Sequence, residues 1–278
     1  MKNSMTLQEK LKELQQQGQA LLATNFYNFE TLKGILQAAR SVKQPIVLQL
    51  TKSSIEYMGL SVAKELAESM LKFYEVEGWI HLDHGGSYEL VAGCLDAGFS
   101  SVMIDASEKS FEENIKITRS VVKLAERYGA NVEAELGYVA KLGQSAEKTG
   151  FTEASEAKLF VEETGINALA VAIGSSHGFY KEEPKLDLER LSEIRKATDA
   201  ALVLHGASGI PHNILREAIQ RGICKINLAT EIKDIFMRTL KNKLINEDEI
   251  DLRKVFPCAT IAVTQLVQDK LLAIQIEN

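Results

Sequence analysis

The chain is short of cysteine, of proline and of positive charge. Its three cysteines, Cys94, Cys224 and Cys258, are odd in number and far apart, and no C-x-x-C pair occurs. That argues against a disulfide framework or a cysteine-based zinc knuckle and predicts a reduced, cytoplasmic protein with buried thiols. With only four prolines and no Pro/Ser-rich or low-complexity tract, the sequence offers no linker at which to divide it. A single domain over residues 1–278 is expected, a length that α/β barrels commonly use as one unit. Lys and Arg number 32 against 38 Asp and Glu, a net charge of −6. This denies the protein the basic surface that nonspecific nucleic-acid binding requires. A small anion is still admissible, because backbone N–H groups and one or two lysines suffice for it. No apolar run reaches the roughly 20 residues needed to span a bilayer, so no membrane partner is expected. The first residues, MKNSMTLQEKLKELQQQG, lack the apolar core of a secretory signal. They read as an amphipathic helix over about 6–17 that caps one end of the fold, with Thr6 and Glu9 at capping-box spacing.

What the chain does have is a rhythm. Short β-prone runs recur at ALLATNF (20–26), PIVLQLT (45–51), WIHLDH (79–84), SVMIDAS (101–107), NVEAELG (131–137), ALAVAIGS (168–175), ALVLHGAS (201–208) and CKINLAT (224–230). Helical periods separate them. FETLKGILQAARS puts Leu32, Ile35, Leu36 and Ala39 on one face, and Ser110 with Glu113 forms a second capping box. A last helix is expected over about 258–275. Eight strand–helix units in one chain predict parallel strands closed as an α/β (β/α)8 TIM barrel. The rival, an open dinucleotide-binding sheet, lacks its fingerprint: the first strand runs into Tyr27-Asn28-Phe29 where GxGxxG would stand.

In such a barrel the chemistry gathers at the carboxyl ends of the strands. The unusual polar residues of this sequence lie there: Asn25, Thr51, Asp83, His84, Asp105, Glu135, His177, His205 and Asn227. Three histidines brought to one rim suit Zn²⁺ with a fourth position open to water or substrate. The rival reading is three hydrogen-bonded rim histidines. In HLDHGG, strand parity sends His81 and Asp83 inward and Leu82 outward, and puts His84 at the turn. His84 is therefore assigned to metal, Asp83 to proton transfer beside it, and His81 to a supporting place one layer deeper. Gly178, the run Gly206-Ala207-Ser208-Gly209, and Asn227-Leu228-Ala229-Thr230 fall where barrels bind phosphate, with Lys181 the nearest cation.

Taken in order, HLDHGG, SVMIDAS, VEAELG, AIGSSHGFY, LHGASGI and KINLATE resemble the class II, zinc-dependent ketose-bisphosphate aldolases, from about residue 5 to 275. The resemblance implies reversible cleavage of fructose or tagatose 1,6-bisphosphate to dihydroxyacetone phosphate and glyceraldehyde 3-phosphate. It implies His84, His177 and His205 as ligands of one Zn²⁺ per subunit, with a monovalent cation left open, and Asp83 as the acid/base. Gly178, Gly206, Ala207, Ser208 and Asn227 to Thr230 become contacts to dihydroxyacetone phosphate. Asn25, Thr51, Asp105 and Glu135 become polar supports, and Asn25 and Thr51 are expected to reach substrate. Lys233 matches a basic residue that in some members reaches a neighbouring subunit's substrate, and a homodimer or homotetramer is implied.

The sequence departs from the pattern in two places. No acidic pair follows Gly137 in GYVAKLGQSAEKTG, where Glu147 is the nearest substitute. Ala229 stands where fructose-preferring members often carry an acid, so NLATE is closer to the tagatose type. Two further alternatives remain open at this point: an aldolase for a deoxy or sulfonated ketose phosphate, and a barrel that binds sugar phosphate without turnover. A Schiff-base mechanism would need an inward lysine, for which Lys225 has the parity.

Overall fold

Strands β1 (Leu21–Asn25), β2 (Ile46–Leu50), β3 (Gly78–Gly85), β4 (Ser101–Ile104), β5 (Asn131–Leu136), β6 (Ala168–Val171), β7 (Ala201–Leu204) and β8 (Ile223–Leu228) pair in sequence order. β8 returns to β1, and every pairing is parallel. The computed structural model describes residues 5–137, 139, 150–180, 182 and 184–275. It is a TIM barrel, as the strand–helix rhythm predicts. Each of the eight β-prone runs contains or overlaps one strand. Every run except WIHLDH outlasts its strand, and the residues left over open the loops that follow, Asp105 after β4, His205 to Ser208 after β7 and Ala229 after β8 among them.

The pleat sorts side chains into two cores. Leu22, Leu48, Ile80, Leu82, Val102, Ala134, Leu169, Leu202 and Ile226 face the helix layer, where they meet Leu32, Ile35, Leu36 and Ala39 of the helix Phe29–Val42. Leu21, Ala23, Val47, Trp79, Ala168, Ala170, Ala201 and Val203 fill the lower barrel together with Leu7, Leu11 and Leu14. Those three leucines belong to the N-terminal helix Leu7–Gln17, which opens with the capping box of Thr6 and Glu9 and plugs the amino-terminal end. Gln15 Nε2 donates to the Ala200 carbonyl, and Trp79 Nε1 donates to the Met5 carbonyl, tying the plug to the barrel. Ser110 and Glu113 form their box on the helix Phe111–Ala125. The last long helix, Pro257–Ala273, packs against Phe29–Val42. Cys94 and Cys224 are buried free thiols; Cys258, expected to be buried as well, is only half-buried. No helix among the described residues is long and apolar enough to cross a membrane.

Above this apolar floor the barrel interior turns polar. Gln49, His81, Asp83, Ser101, Asn131, Glu133, Glu135, His205, Lys225 and Asn227 are all buried. Groups of this kind are rarely enclosed unless paired, so their arrangement defines the site.

Candidate active site

The HLDHGG segment meets the mouth through a bulge. His81 pairs with Ser101 and Leu82 with Val102, but Gly85 pairs with Ile104: β3 advances three residues while β4 advances two. A bulge breaks the period-two alternation and re-aims side chains. Asp83 and His84, adjacent in sequence, can therefore both serve the mouth. His84 takes up the irregularity with φ of 49°, a left-handed backbone rare outside glycine and of a kind that concentrates at functional sites. Gly85 must be glycine for a separate reason: a Cβ there would lie 2.3 Å from the Met103 carbonyl oxygen.

His84, His177 and His205 come together, with one ligand nitrogen from each lying within 4.8 Å of the others. Their ring centroids are 4.8 to 5.9 Å apart. His84 Nδ1 is 2.8 Å from Asp105 Oδ2, so its Nε2 faces the cluster. His205 uses the opposite nitrogen: Nδ1 lies 3.1 Å from His84 Nε2, and Nε2 lies 2.9 Å from Glu133 Oε1. His177 Nε2 is buried and has no hydrogen-bond partner among the described residues, and the same holds for Asp83 Oδ1 and Glu135 Oε2. Uncompensated buried nitrogens and oxygens of this kind cost about 1–3 kcal/mol each. Three imidazoles with carboxylates beside them form a donor set that fits a divalent cation.

The electrostatics follow from who surrounds whom. Burial pushes the Asp83 carboxyl up, but His84, His205 and the amide of Asn25 (Nδ2 to Oδ2, 2.9 Å) outweigh it and leave it below the usual aspartate range. Burial would depress His84, yet Asp83, Asp105 and Glu135 raise it to about 9. His177 is driven down to about 3 by burial and by the other two imidazoles. Burial raises the Glu135 carboxyl above the ordinary glutamate value. His81, fully enclosed, is lowered to about 3 by burial and by Lys225; its Nδ1 pairs with Ser101 Oγ at 2.7 Å.

The remaining candidates divide by what their side chains already do. Asn25 donates Nδ2 to Asp83, while its Oδ1 is buried with no hydrogen-bond partner among the described residues. Thr51 caps the helix Lys52–Met58, its Oγ1 accepting from Ser54 N, so its hydroxyl is engaged in structure. Gly206 has φ of 68°, and a Cβ there would sit 2.4 Å from the Ser176 carbonyl oxygen, so the loops after β6 and β7 touch because this residue is glycine. Gly178 also has positive φ, 99°. Ala207 and Ser208 are buried beside them. Asn227 points into the barrel, while Leu228 packs outward in the helix-side core and offers the mouth only backbone. Ala229 is the N-cap of the helix Thr230–Asn246 and provides no side-chain cap. Lys233 is exposed, with Nζ 5.6 Å from the ring centroid of Tyr27. Lys181 and Glu147 lie outside the described residues.

Two contributors escaped the sequence reading. Tyr180 Oη accepts from Ser176 N at 2.9 Å and donates to the Gly206 carbonyl at 2.8 Å, joining the two loops; nothing in AIGSSHGFY signals it. Glu133 shares strand parity with Glu135 and with inward Lys225, a signal that was available in NVEAELG. Lys225 is wholly enclosed and its Nζ lies 2.7 Å from Glu133 Oε2. It is therefore committed to an ion pair below the mouth.

The class-II fructose-bisphosphate aldolase family model matches residues 5–278. A fructose-bisphosphate aldolase of Helicobacter pylori is 37% identical, covering 95% of each chain. Among solved structures, the YdjI aldolase of Escherichia coli K12 superposes with a TM-score of 0.87 at 33% identity, covering 96% of both chains. A putative fructose-1,6-bisphosphate aldolase of Coccidioides immitis gives a TM-score of 0.88 at 28% identity, covering 98% of this chain and 96% of its own. The barrel, its histidine cluster and this near-complete match in sequence lead to one conclusion: the chain belongs to the class-II fructose-bisphosphate aldolase family, a family of metal-using lyases.

Proposed function

We propose that the chain is a zinc-dependent aldolase that reversibly cleaves a ketose 1,6-bisphosphate, tagatose or fructose, to dihydroxyacetone phosphate and glyceraldehyde 3-phosphate. The observation that carries this reading is the convergence of His84, His177 and His205 beside the buried carboxylate of Asp83. His84 would offer Nε2 and His205 Nδ1 to the ion, since the far nitrogen of each ring faces a carboxylate. A divalent cation supplies charge stabilisation for the oxygen on which negative charge develops as the carbon–carbon bond breaks.

The chain's own groups do the rest. Asp83, held anionic and oriented by Asn25, keeps Oδ1 unpartnered. It accepts the proton of the C4 hydroxyl in cleavage and returns it in condensation, a role typically supplying roughly 10² to 10⁴-fold. Backbone N–H groups of the loops at Gly178, Gly206 to Ser208 and Asn227 to Thr230 bind the phosphate of the dihydroxyacetone half. The helix starting at Thr230 has no side-chain cap, which favours an anion at its N-terminus. The absence of a carboxylate at position 229 favours the tagatose sugar. Exposed Lys233 supports an assembly in which it reaches a neighbour, as a homodimer or homotetramer in the cytoplasm; light scattering measures that state.

The test is a coupled assay for dihydroxyacetone phosphate run on tagatose, fructose, deoxy and sulfonated ketose phosphates. Chelation should abolish cleavage, and Zn²⁺ or Co²⁺ should restore it. Undiminished turnover by a fully stripped chain, or a borohydride-stable adduct on lysine, refutes the metal mechanism.

A further inference from the structure

Below the three-histidine cluster runs a buried chain of contacts that the aldol chemistry does not itself require. Lys225 Nζ lies 2.7 Å from Glu133 Oε2, and Glu133 Oε1 lies 2.9 Å from His205 Nε2. All three side chains are completely shielded from solvent. The two carboxylate oxygens are thus divided between two partners, the ammonium on one side and the imidazole on the other. His81 Nε2 stands 3.8 Å from Glu133 Oε2, and Asn227 Nδ2 stands 3.0 Å from the same His205 Nε2 that faces the carboxylate.

That last distance is informative. A neutral imidazole carries one proton, on one nitrogen. Next to Asn227 alone, Nε2 could act as an acceptor from the amide, which would put the ring proton on Nδ1. Nδ1 is the nitrogen 3.1 Å from His84 Nε2 and is the one that looks into the cluster. A proton there would block the lone pair a metal needs. A carboxylate at Nε2 has the opposite effect: it accepts, so the proton sits on Nε2 and the Nδ1 lone pair is left toward the cluster. Glu135 Oε2 also stands near the ring, 3.6 Å from Nδ1, but beyond hydrogen-bond reach, so the carboxylate in contact, Glu133 at 2.9 Å from Nε2, sets the orientation and the tautomer, as is common where a histidine binds metal through one nitrogen and donates from the other.

We infer that Glu133 is a positioning residue: anchored by Lys225, it accepts from His205 Nε2, fixes the Nε2–H tautomer, and so presents Nδ1 to the cation. Lys225 acts on the metal site through Glu133 and not as a Schiff-base lysine. This rests on the metal reading above and adds a function to two residues at the base of the site. It also accounts for an expensive feature. An enclosed Lys–Glu pair is seldom a gain over apolar side chains of similar volume, so its presence directly under a metal-ligand candidate calls for a role other than stability.

The test uses the full chain and paired substitutions that never leave one charge buried alone. In Glu133→Leu/Lys225→Met the acceptor is gone and Asn227 is left to dictate the proton. In Glu133→Gln/Lys225→Met the charges are gone but an acceptor oxygen remains. Zn²⁺ affinity is read by competition against a chromophoric chelator, and the His205 tautomer by ¹⁵N imidazole shifts in the metal-free chain. The Leu/Met variant should bind Zn²⁺ roughly 10 to 100-fold more weakly and show its proton on Nδ1. The Gln/Met variant should recover the Nε2–H tautomer and most of the affinity. Native Zn²⁺ affinity in the folded Leu/Met variant overturns the inference, and so does equal loss in both variants, which would mark a merely structural pair. If the Leu/Met variant fails to fold, the native chain still decides: an unprotonated Nε2 on its His205 overturns the proposal. Zn²⁺ binding to His205→Ala as tight as to the native chain would instead defeat the metal reading, while the tautomer shifts would still report what Glu133 does.

Discussion

Replacing Lys225 by methionine is the sharpest stability test of the buried network. Lys225 is wholly enclosed and its Nζ lies 2.7 Å from Glu133 Oε2. Methionine matches much of its volume, so the cavity contribution is small and the electrostatic one dominates. At an effective dielectric of 20 the direct attraction is about 6 kcal/mol, but desolvation of both ions offsets much of it. Breaking a buried pair from one side costs about 3–5 kcal/mol, because a charge is left uncompensated. At about 2.1 cal/mol/K of unfolding entropy per residue, that corresponds for this chain to a fall in Tm of roughly 5–9 °C. Adding Glu133→Gln should return most of the loss, since exchanging a whole buried pair is close to neutral. The pH dependence carries a sign. Burial opposes ionisation of Glu133, but Lys225 and His205 overcome it and hold the carboxyl below its usual value. Its contribution is therefore complete above the ordinary glutamate pKa of about 4.3 and is lost as pH falls through the lower folded value. In Lys225→Met burial has no ammonium to oppose it, and the carboxyl neutralises more easily as pH falls. The penalty should shrink toward pH 4. Chemical denaturation and thermal melts of metal-free protein at pH 7 and pH 4.5 provide the measurement. A single variant as stable as the native chain at pH 7, or a double variant no better than the single one, would refute the reasoning.

Three other outcomes are expected. Asp83→Ala should retain Zn²⁺, because the three imidazoles are untouched, and should lose roughly 10² to 10⁴-fold in kcat; near-native turnover removes Asp83 from the mechanism. Gly206→Ala should raise KM for the ketose phosphate and lower stability, since φ of 68° and a 2.4 Å approach to the Ser176 oxygen force the two loops apart; unchanged kinetics would show that these loops do not shape the phosphate site. Leu11→Ala, in the plug at the amino-terminal end, should cost about 2–5 kcal/mol with metal affinity unchanged, because the apolar floor separates Leu11 from the mouth; a parallel loss of metal would contradict that separation.

The parts of the site legible in the sequence were those expressed by strand-end position. His84, His177, His205, Asp83 and Asp105 each stand at or just past a β-prone run, and a parallel barrel brings all such ends to one rim. The contact between Asp105 and His84 Nδ1 closes a separation that sequence spacing alone would never suggest. Thr51 shows the limit of the same rule: it stands at a strand end, yet its hydroxyl caps the next helix. Glu133 shows the other limit. Its parity with Glu135 marks it as inward, but it lies below the strand end, and only its partners Lys225 and His205, from distant strands, give it a role.

By itself, then, the sequence determined the eight-fold repeat, the amphipathic plug with its capping box, and the roster of histidines and carboxylates at the strand ends, because these depend on local periodicity and chain order. The tertiary structure alone decided which nitrogen of each imidazole faces the cluster, that a bulge lets consecutive Asp83 and His84 share the mouth, and that Lys225 is consumed by Glu133. Those are properties of register and of neighbours from distant strands, and a hydrogen bond's direction is set by the partner that closure of the barrel delivers.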